Sequence, residues 1–132
     1  MKYLLDTHTC VWWNMRPKNL SRKVAKLIED EDDYEELLLS AISPWEFGKL
    51  LEKGKLGISY NPEEWIHAAL EMPKLRLVPL TPRIAYRSTT LPKPFHDDPA
   101  DQLIVATARE ENATILTKDK RILDYQYVQS LW

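Results

Sequence analysis

Short apolar runs alternate along the chain with stretches of helical periodicity. Tyr3-Leu4-Leu5 ends at Asp6-Thr7, the form of a strand buried on both faces with an acid at its carboxyl end. Leu37-Leu38-Leu39 is a second such run, Leu75 to Leu80 a third, and Thr114-Ile115-Leu116 a fourth that ends in Thr117-Lys118-Asp119. A last short strand is expected near Tyr127-Val128. Leu20, Val24, Leu27 and Ile28 recur at helical spacing behind Ser21. A second helix is expected from about Pro44 to Lys53, where Gly54 stops it. Asn61-Pro62-Glu63-Glu64 opens a third, with Trp65, Ala68, Ala69 and Met72 on one stripe, and Pro73 closes it. Thr81-Pro82 opens a short helix through Arg87, Pro92 and Pro94 hold 89–98 in a loop, and Pro99 to Glu110 is helical again. The mostly acidic stretch from Glu29 to Glu36 reads as a solvated face and turn.

Strands that alternate with helices imply right-handed crossovers and a parallel sheet covered on both faces. The expected fold is therefore α/β, a three-layer α/β/α sandwich around a mainly parallel sheet, with residues 1–132 forming one domain. A length of 132 residues allows one good core and is short for two. No apolar run reaches the length of a membrane span, and Asp6 interrupts the N-terminal one far short of a signal-peptide core. Cys10 is the single cysteine, so an intrachain disulfide and a thiolate zinc cage are both excluded. These features point to a cytoplasmic protein. None of the three glycines, Gly48, Gly54 and Gly57, forms a phosphate-cradling loop, which excludes a P-loop or a dinucleotide-binding turn.

In parallel sheets of this kind, function collects at the carboxyl ends of the strands. Asp6, Glu46, Asp101 and Asp119 all follow a strand end or open a helix on that rim. Each has a structural explanation by itself. Asp6 and Asp119 suit turns or caps. Ser43-Pro44-Trp45-Glu46 fits a capping box, and Asp98-Pro99-Ala100-Asp101 repeats the pattern with Asp98 as cap. Taken together they need another reason, because two carboxylates 4 Å apart repel by about 4 kcal/mol at an effective dielectric of 20. Such a cluster must take up protons or bind a cation, and hard oxygen ligands select Mg²⁺ or Mn²⁺ over zinc. The formal charge of −2 argues at first against a nucleic-acid partner. Setting four metal-binding acids aside leaves the rest of the surface net positive, which makes RNA compatible without requiring it.

Leu4-Leu5-Asp6-Thr7-His8, Leu39-Ser40-Ala41-Ile42-Ser43-Pro44-Trp45-Glu46, His96-Asp97-Asp98-Pro99-Ala100-Asp101-Gln102 and Thr114-Ile115-Leu116-Thr117-Lys118-Asp119 resemble, in this order and spacing, the motifs of PIN-domain ribonucleases. More narrowly, the chain is similar to the toxin half of VapBC toxin-antitoxin pairs. The resemblance implies a Mg²⁺- or Mn²⁺-dependent endoribonuclease in which Asp6, Glu46 and Asp101 bind metal and Asp119 supports them, directly or through water. It further implies that Thr117 helps to position the attacking water or an acid. RNA is the implied substrate, a VapB-like antitoxin the implied partner, and a homodimer the implied assembly. Relatives often carry Arg where this chain has Gln102, so phosphate anchoring is expected to pass to Lys49, Lys118 or Lys120.

Asp98 reads first as a helix cap, with metal contact the lesser alternative. His8 and His96 sit near the same rim and read first as hydrogen-bonded structural histidines. Trp12, Trp13 and Trp45 suit core packing or a protein interface before RNA stacking. Two other functions compete: a PIN-like module that binds RNA or protein without cutting, and a receiver-like signalling domain, which also gathers acids with a Thr and a Lys.

Overall fold

The computed structural model describes residues 1–30, 32, 34–56 and 61–132. Five strands, β1 (Lys2–Leu5), β2 (Glu36–Ser40), β3 (Leu75–Val78), β4 (Thr114–Leu116) and β5 (Ser130–Leu131), form one sheet in the order β3-β2-β1-β4-β5. Every neighbouring pair is parallel. The crossovers carry α1 (Thr7–Met15), α2 (Arg22–Glu29), α3 (Ile42–Glu52), α4 (Pro62–Leu70), α5 (Pro82–Arg87), α6 (Pro99–Glu111) and α7 (Lys120–Leu123), with a 3₁₀ turn at Pro17–Asn19. Among the described residues no helix is long and apolar enough to cross a membrane.

The unbroken leucine runs follow from burial on both faces. Leu5, Leu37 and Leu39 pack with Cys10, Val24, Phe47 and Trp65 on one side, while Leu4, Leu38 and Ile115 pack with Ile84, Ile104 and Ile122 on the other. These are the two cores of a three-layer sandwich, as the strand–helix alternation predicts. Phe47 of α3 stacks on Trp65 of α4 with ring centroids 4.2 Å apart, locking that helix pair over the first core. On the second side, Ala106 and Ala108 let α6 lie close to the sheet.

Two expectations from the pattern are corrected, and one helix carries no pattern to read. The last strand is Ser130–Leu131, because Gln129 O and Leu131 O accept from Ile115 N and Thr117 N, whereas Val128 is apolar because it packs on the second core. Helix α1 has no periodic signature: Thr, His, Cys, Val and Trp are indifferent helix formers, and burial of Thr9, Cys10 and Val11 beneath the sheet rim decides its state. Helix α3 begins at Ile42 rather than near Pro44, so Ser43 is not its cap. Its C-terminal end is as expected, with Gly54 at φ +67 just past the cap, a conformation that suits glycine. In the acidic stretch, Glu31 and Asp33 lie outside the described residues, as does Gly57, while Tyr34 is buried and donates its hydroxyl to Ile28 O at 3.1 Å.

β1 lies at the centre of the sheet. From it the chain builds outward through β2 and β3, then crosses back to add β4 and β5 on the other side. The order therefore reverses between β1 and β4, and a crevice at the carboxyl ends of such strands is where α/β sheets bind ligands. Leu5 and Leu116 are in register there, and Asp6 N donates to Leu116 O at 3.1 Å. Asp6 and Thr117 thus emerge side by side.

Candidate metal centre

Asp6 caps α1 by accepting from Thr7 N at 2.8 Å through Oδ1, while its Oδ2 accepts the Thr117 hydroxyl at 2.7 Å. Thr117 Oγ1 in turn accepts from Asp119 N at 3.0 Å. One buried threonine therefore ties an acid after β1 to the turn that carries an acid after β4. Asp119 caps α7, accepting from Arg121 N at 2.9 Å.

Glu46 reaches the same place because the anticipated capping box does not form. Ser40 Oγ accepts from Ile42 N at 3.2 Å, and Ser43 Oγ accepts the Thr7 hydroxyl at 2.8 Å. Pro44 still falls in the first turn of α3, where its missing N–H removes no helical bond. Glu46, one turn further, is left half-buried with no capping duty. The corresponding pattern at α6 does form: Asp98 Oδ1 accepts from Asp101 N at 3.0 Å. Asp101 is 6% exposed and faces the same cavity.

The result is a cleft of about 800 Å³ onto which Asp6, Glu46, Asp98, Asp101 and Asp119 all open. Glu46, Asp98 and Asp101 each present a carboxylate oxygen within 4.8 Å of the others, a spacing that one cation could bridge. Asp98 is thus both the cap it was read as and a member of the tightest acid trio. Asp6 and Asp119 line the cleft outside that trio. His8 and Trp12 also line it, their rings 5.5 Å apart.

Electrostatics reflect the crowding. Burial pushes the Asp101 carboxyl from 3.8 to about 8, and Asp6, Asp98, Asp119 and Glu46 push in the same direction. Burial likewise raises Asp6 against the pull of its bonds from Thr117 and Thr7 N, and raises Glu46 with help from Asp6, Asp98 and Asp119. Asp119 differs: burial would raise it, but Arg121 outweighs burial and holds it below the usual range. Acids that cannot all stay ionised together form a site that favours a divalent ion.

Cations enter from an unexpected residue. Arg121 donates from Nε and Nη2 to the two Asp119 oxygens at 3.2 and 3.0 Å, and its Nη2 lies 3.5 Å from Asp101 Oδ2. Of the three lysines named for phosphate, Lys118 lines the cleft with Lys55. Lys49 pairs with Glu52, and Lys120 pairs with Asp124. Arg121 follows the fourth motif by two residues, but nothing in the local sequence shows that a four-residue helix turns it back over the acids. His96 accepts from Asp98 N through Nδ1 at 3.3 Å, the structural role expected. Its Nε2 sits 3.0 Å from Asp101 Oδ2 without the alignment of a hydrogen bond.

Residues 3–126 match the model of the PIN domain. The chain belongs to the PIN domain family. A relative, Ribonuclease VapC22 of Mycobacterium tuberculosis (strain ATCC 25618 / H37Rv), is 36% identical over 124 residues, covering 94% of this chain and 92% of that one. Among solved structures, VapBC2 from Rickettsia felis bound to a DNA fragment from their promoter superposes with a TM-score of 0.69 at 19% identity, over 99% of this chain and 98% of that one. VapBC-1 from nontypeable Haemophilus influenzae gives a TM-score of 0.57 at 25% identity, over 99% and 97%. A PIN fold also removes the receiver-like alternative. Its sheet order here is 3-2-1-4-5, whereas receivers share the 2-1-3-4-5 order of flavodoxin-like sheets.

Proposed function

We propose that this PIN domain is a Mg²⁺- or Mn²⁺-dependent endoribonuclease and the toxin of a type II toxin-antitoxin pair, acting in the cytoplasm. The observation that carries the proposal is the convergence of Glu46, Asp98 and Asp101 within 4.8 Å, in a cleft that Asp6 and Asp119 complete. Five carboxylates without thiolate or a histidine pair form a hard-oxygen donor set that fits such an ion. Glu46 and Asp101 would hold it together with Asp98, and Asp6 and Asp119 on the same cleft would complete and support the set. When bound, the ion supplies a Lewis acid for a phosphoryl oxygen and an acidified water for in-line attack.

The chain's own residues set the geometry. Thr117 orients Asp6 by its 2.7 Å hydrogen bond. Asp98 fixes the first turn of α6 and with it Asp101. Thr7 ties α1 to α3 through Ser43, holding Asp6 and Glu46 on facing helix starts. Lys55, Lys118 and Arg121 line the cleft on which the RNA phosphates would lie. Trp45, 54% exposed on α3, borders a neighbouring groove with Leu50 and Pro99 and offers an apolar anchor for an antitoxin helix.

Purified, partner-free protein incubated with total cellular RNA tests the proposal. Cleavage should require Mg²⁺ or Mn²⁺, stop with EDTA, and leave 5′-phosphate ends, since the nucleophile is water. Cleavage that survives EDTA, or 2′,3′-cyclic phosphate products, would reject it. A protein that binds RNA and never cuts would support the non-catalytic alternative.

A further inference from the structure

Beside the acid cleft lies a second cavity of about 580 Å³, whose lining includes Phe95, His96, Arg121, Asp124, Tyr125 and Tyr127. Arg121 lines both cavities, so the two adjoin at this residue, whose guanidinium reaches Asp119, Asp101 and His96. Phe95 and Tyr125 have ring centroids 4.6 Å apart, Tyr125 and Tyr127 5.5 Å, and Phe95 and His96 4.5 Å. The wall is rigid: Phe95 packs against the second core, and the buried Tyr125 donates its hydroxyl to Pro92 O at 2.7 Å. Tyr127 is different, being 42% exposed. Its backbone is nonetheless pinned, since Arg109 Nη1 donates to Tyr127 O at 2.6 Å.

Core packing accounts for Phe95 and Tyr125 but not for an exposed tyrosine beside them. The chemistry of the cavity is an aromatic wall with a guanidinium at the end nearest the acids and the Asp124 carboxylate elsewhere on its rim. A nucleotide has the matching parts. Its phosphate suits the guanidinium, its base has a face for stacking, and its amines or ribose hydroxyls can donate to a carboxylate. A divalent ion in the cleft would compete with Arg121 for Asp101 and Asp119, which frees the guanidinium for that phosphate.

We infer that this cavity is a nucleotide subsite of the RNA strand: it takes the base of one nucleotide flanking the cut against Tyr127, with Arg121 on the phosphate between cavity and cleft. The inference rests on the ribonuclease reading above and adds to it where the strand runs.

Steady-state cleavage of a short single-stranded RNA by wild type, Tyr127→Ala and Tyr127→Trp, each checked for an unchanged melting temperature, tests it. Tyr127→Ala should raise KM about tenfold with kcat nearly unchanged, in the range that loss of one stacked base produces, and Tyr127→Trp should restore KM. Abasic substitution at the nucleotide that flanks the cut should weaken wild type by a similar factor and weaken Tyr127→Ala no further. An unchanged KM in Tyr127→Ala, or abasic and Tyr127→Ala losses that multiply in full, would overturn the subsite while leaving the nuclease intact. The same holds if Tyr127→Ala weakens only neutralisation by a protein antitoxin, which would make the cavity a protein-binding surface. Failure of wild type to cut RNA with any divalent ion would overturn the nuclease reading and the subsite with it.

Discussion

Asp101→Asn should stabilise the metal-free protein at neutral pH and abolish most of its stabilisation by Mn²⁺. Burial and four neighbouring acids raise the Asp101 carboxyl from 3.8 to about 8. Because the folded value lies above the unfolded one, the carboxyl's contribution to stability is complete below about pH 4, declines between about pH 4 and pH 8, and is flat above. At about pH 7 the accumulated loss is on the order of 4 kcal/mol, at about 1.4 kcal/mol for each pH unit crossed. Asp6 and Glu46 share the same repulsion, so removing one charge recovers part of the loss, roughly 1–4 kcal/mol. Asparagine keeps the shape and carries no titrating proton. Urea melts from pH 4 to pH 8 should show wild type losing stability as pH rises and the variant changing less, with the two close at the acid end. Adding Mn²⁺ should close or reverse the gap between them. Wild type gains about 3 kcal/mol when the ion is at about a hundred times its Kd, while the variant, short of a ligand, gains little. Parallel pH profiles, or equal responses to Mn²⁺, would refute the crowded-acid reasoning and reduce Asp101 to a residue favoured by the helix dipole.

Thr117→Val should fold and lose about 10- to 100-fold in cleavage rate or Mn²⁺ affinity, as expected when a group that orients a ligand is removed; wild-type values for both would remove it from the site. Cys10 is buried and its thiol is pushed up to about 12, so Ellman's reagent should label it only after urea unfolding, and fast labelling of the folded protein would contradict the packing beneath β1 and β4.

The sheet was legible because strands buried on both faces leave runs such as Leu37-Leu38-Leu39, and α6 because its cap and small residues are written locally. What lay hidden depends on contacts between distant segments. Helix α1 is held by burial rather than propensity, and β5 by the ladder that Gln129 and Leu131 offer to β4. The acids Asp6, Glu46, Asp101 and Asp119 could be named from the motifs, but their arrangement could not. Ser43 looks like a helix cap, but its Oγ instead accepts the hydroxyl of Thr7, thirty-six positions away. Asp98 caps α6 as its sequence suggests, yet only packing brings it to Glu46. Arg121 does not stand out in the sequence beside the lysines, because its return to the acids depends on the turn of α7.

The central claim is that these acids work together through bound divalent metal on RNA. It is tested most directly by the initial rate of cleavage of a defined single-stranded RNA against Mn²⁺ concentration, for wild type and for Glu46→Gln. Glu46 has no capping role and no ion-pair partner among the described residues, so the substitution leaves the fold in place. The wild-type rate should rise from zero and saturate, while the variant should stay at least 100-fold slower at every concentration, as loss of a direct ligand demands. Equal saturating rates, or cleavage by both proteins without added metal, would contradict the claim.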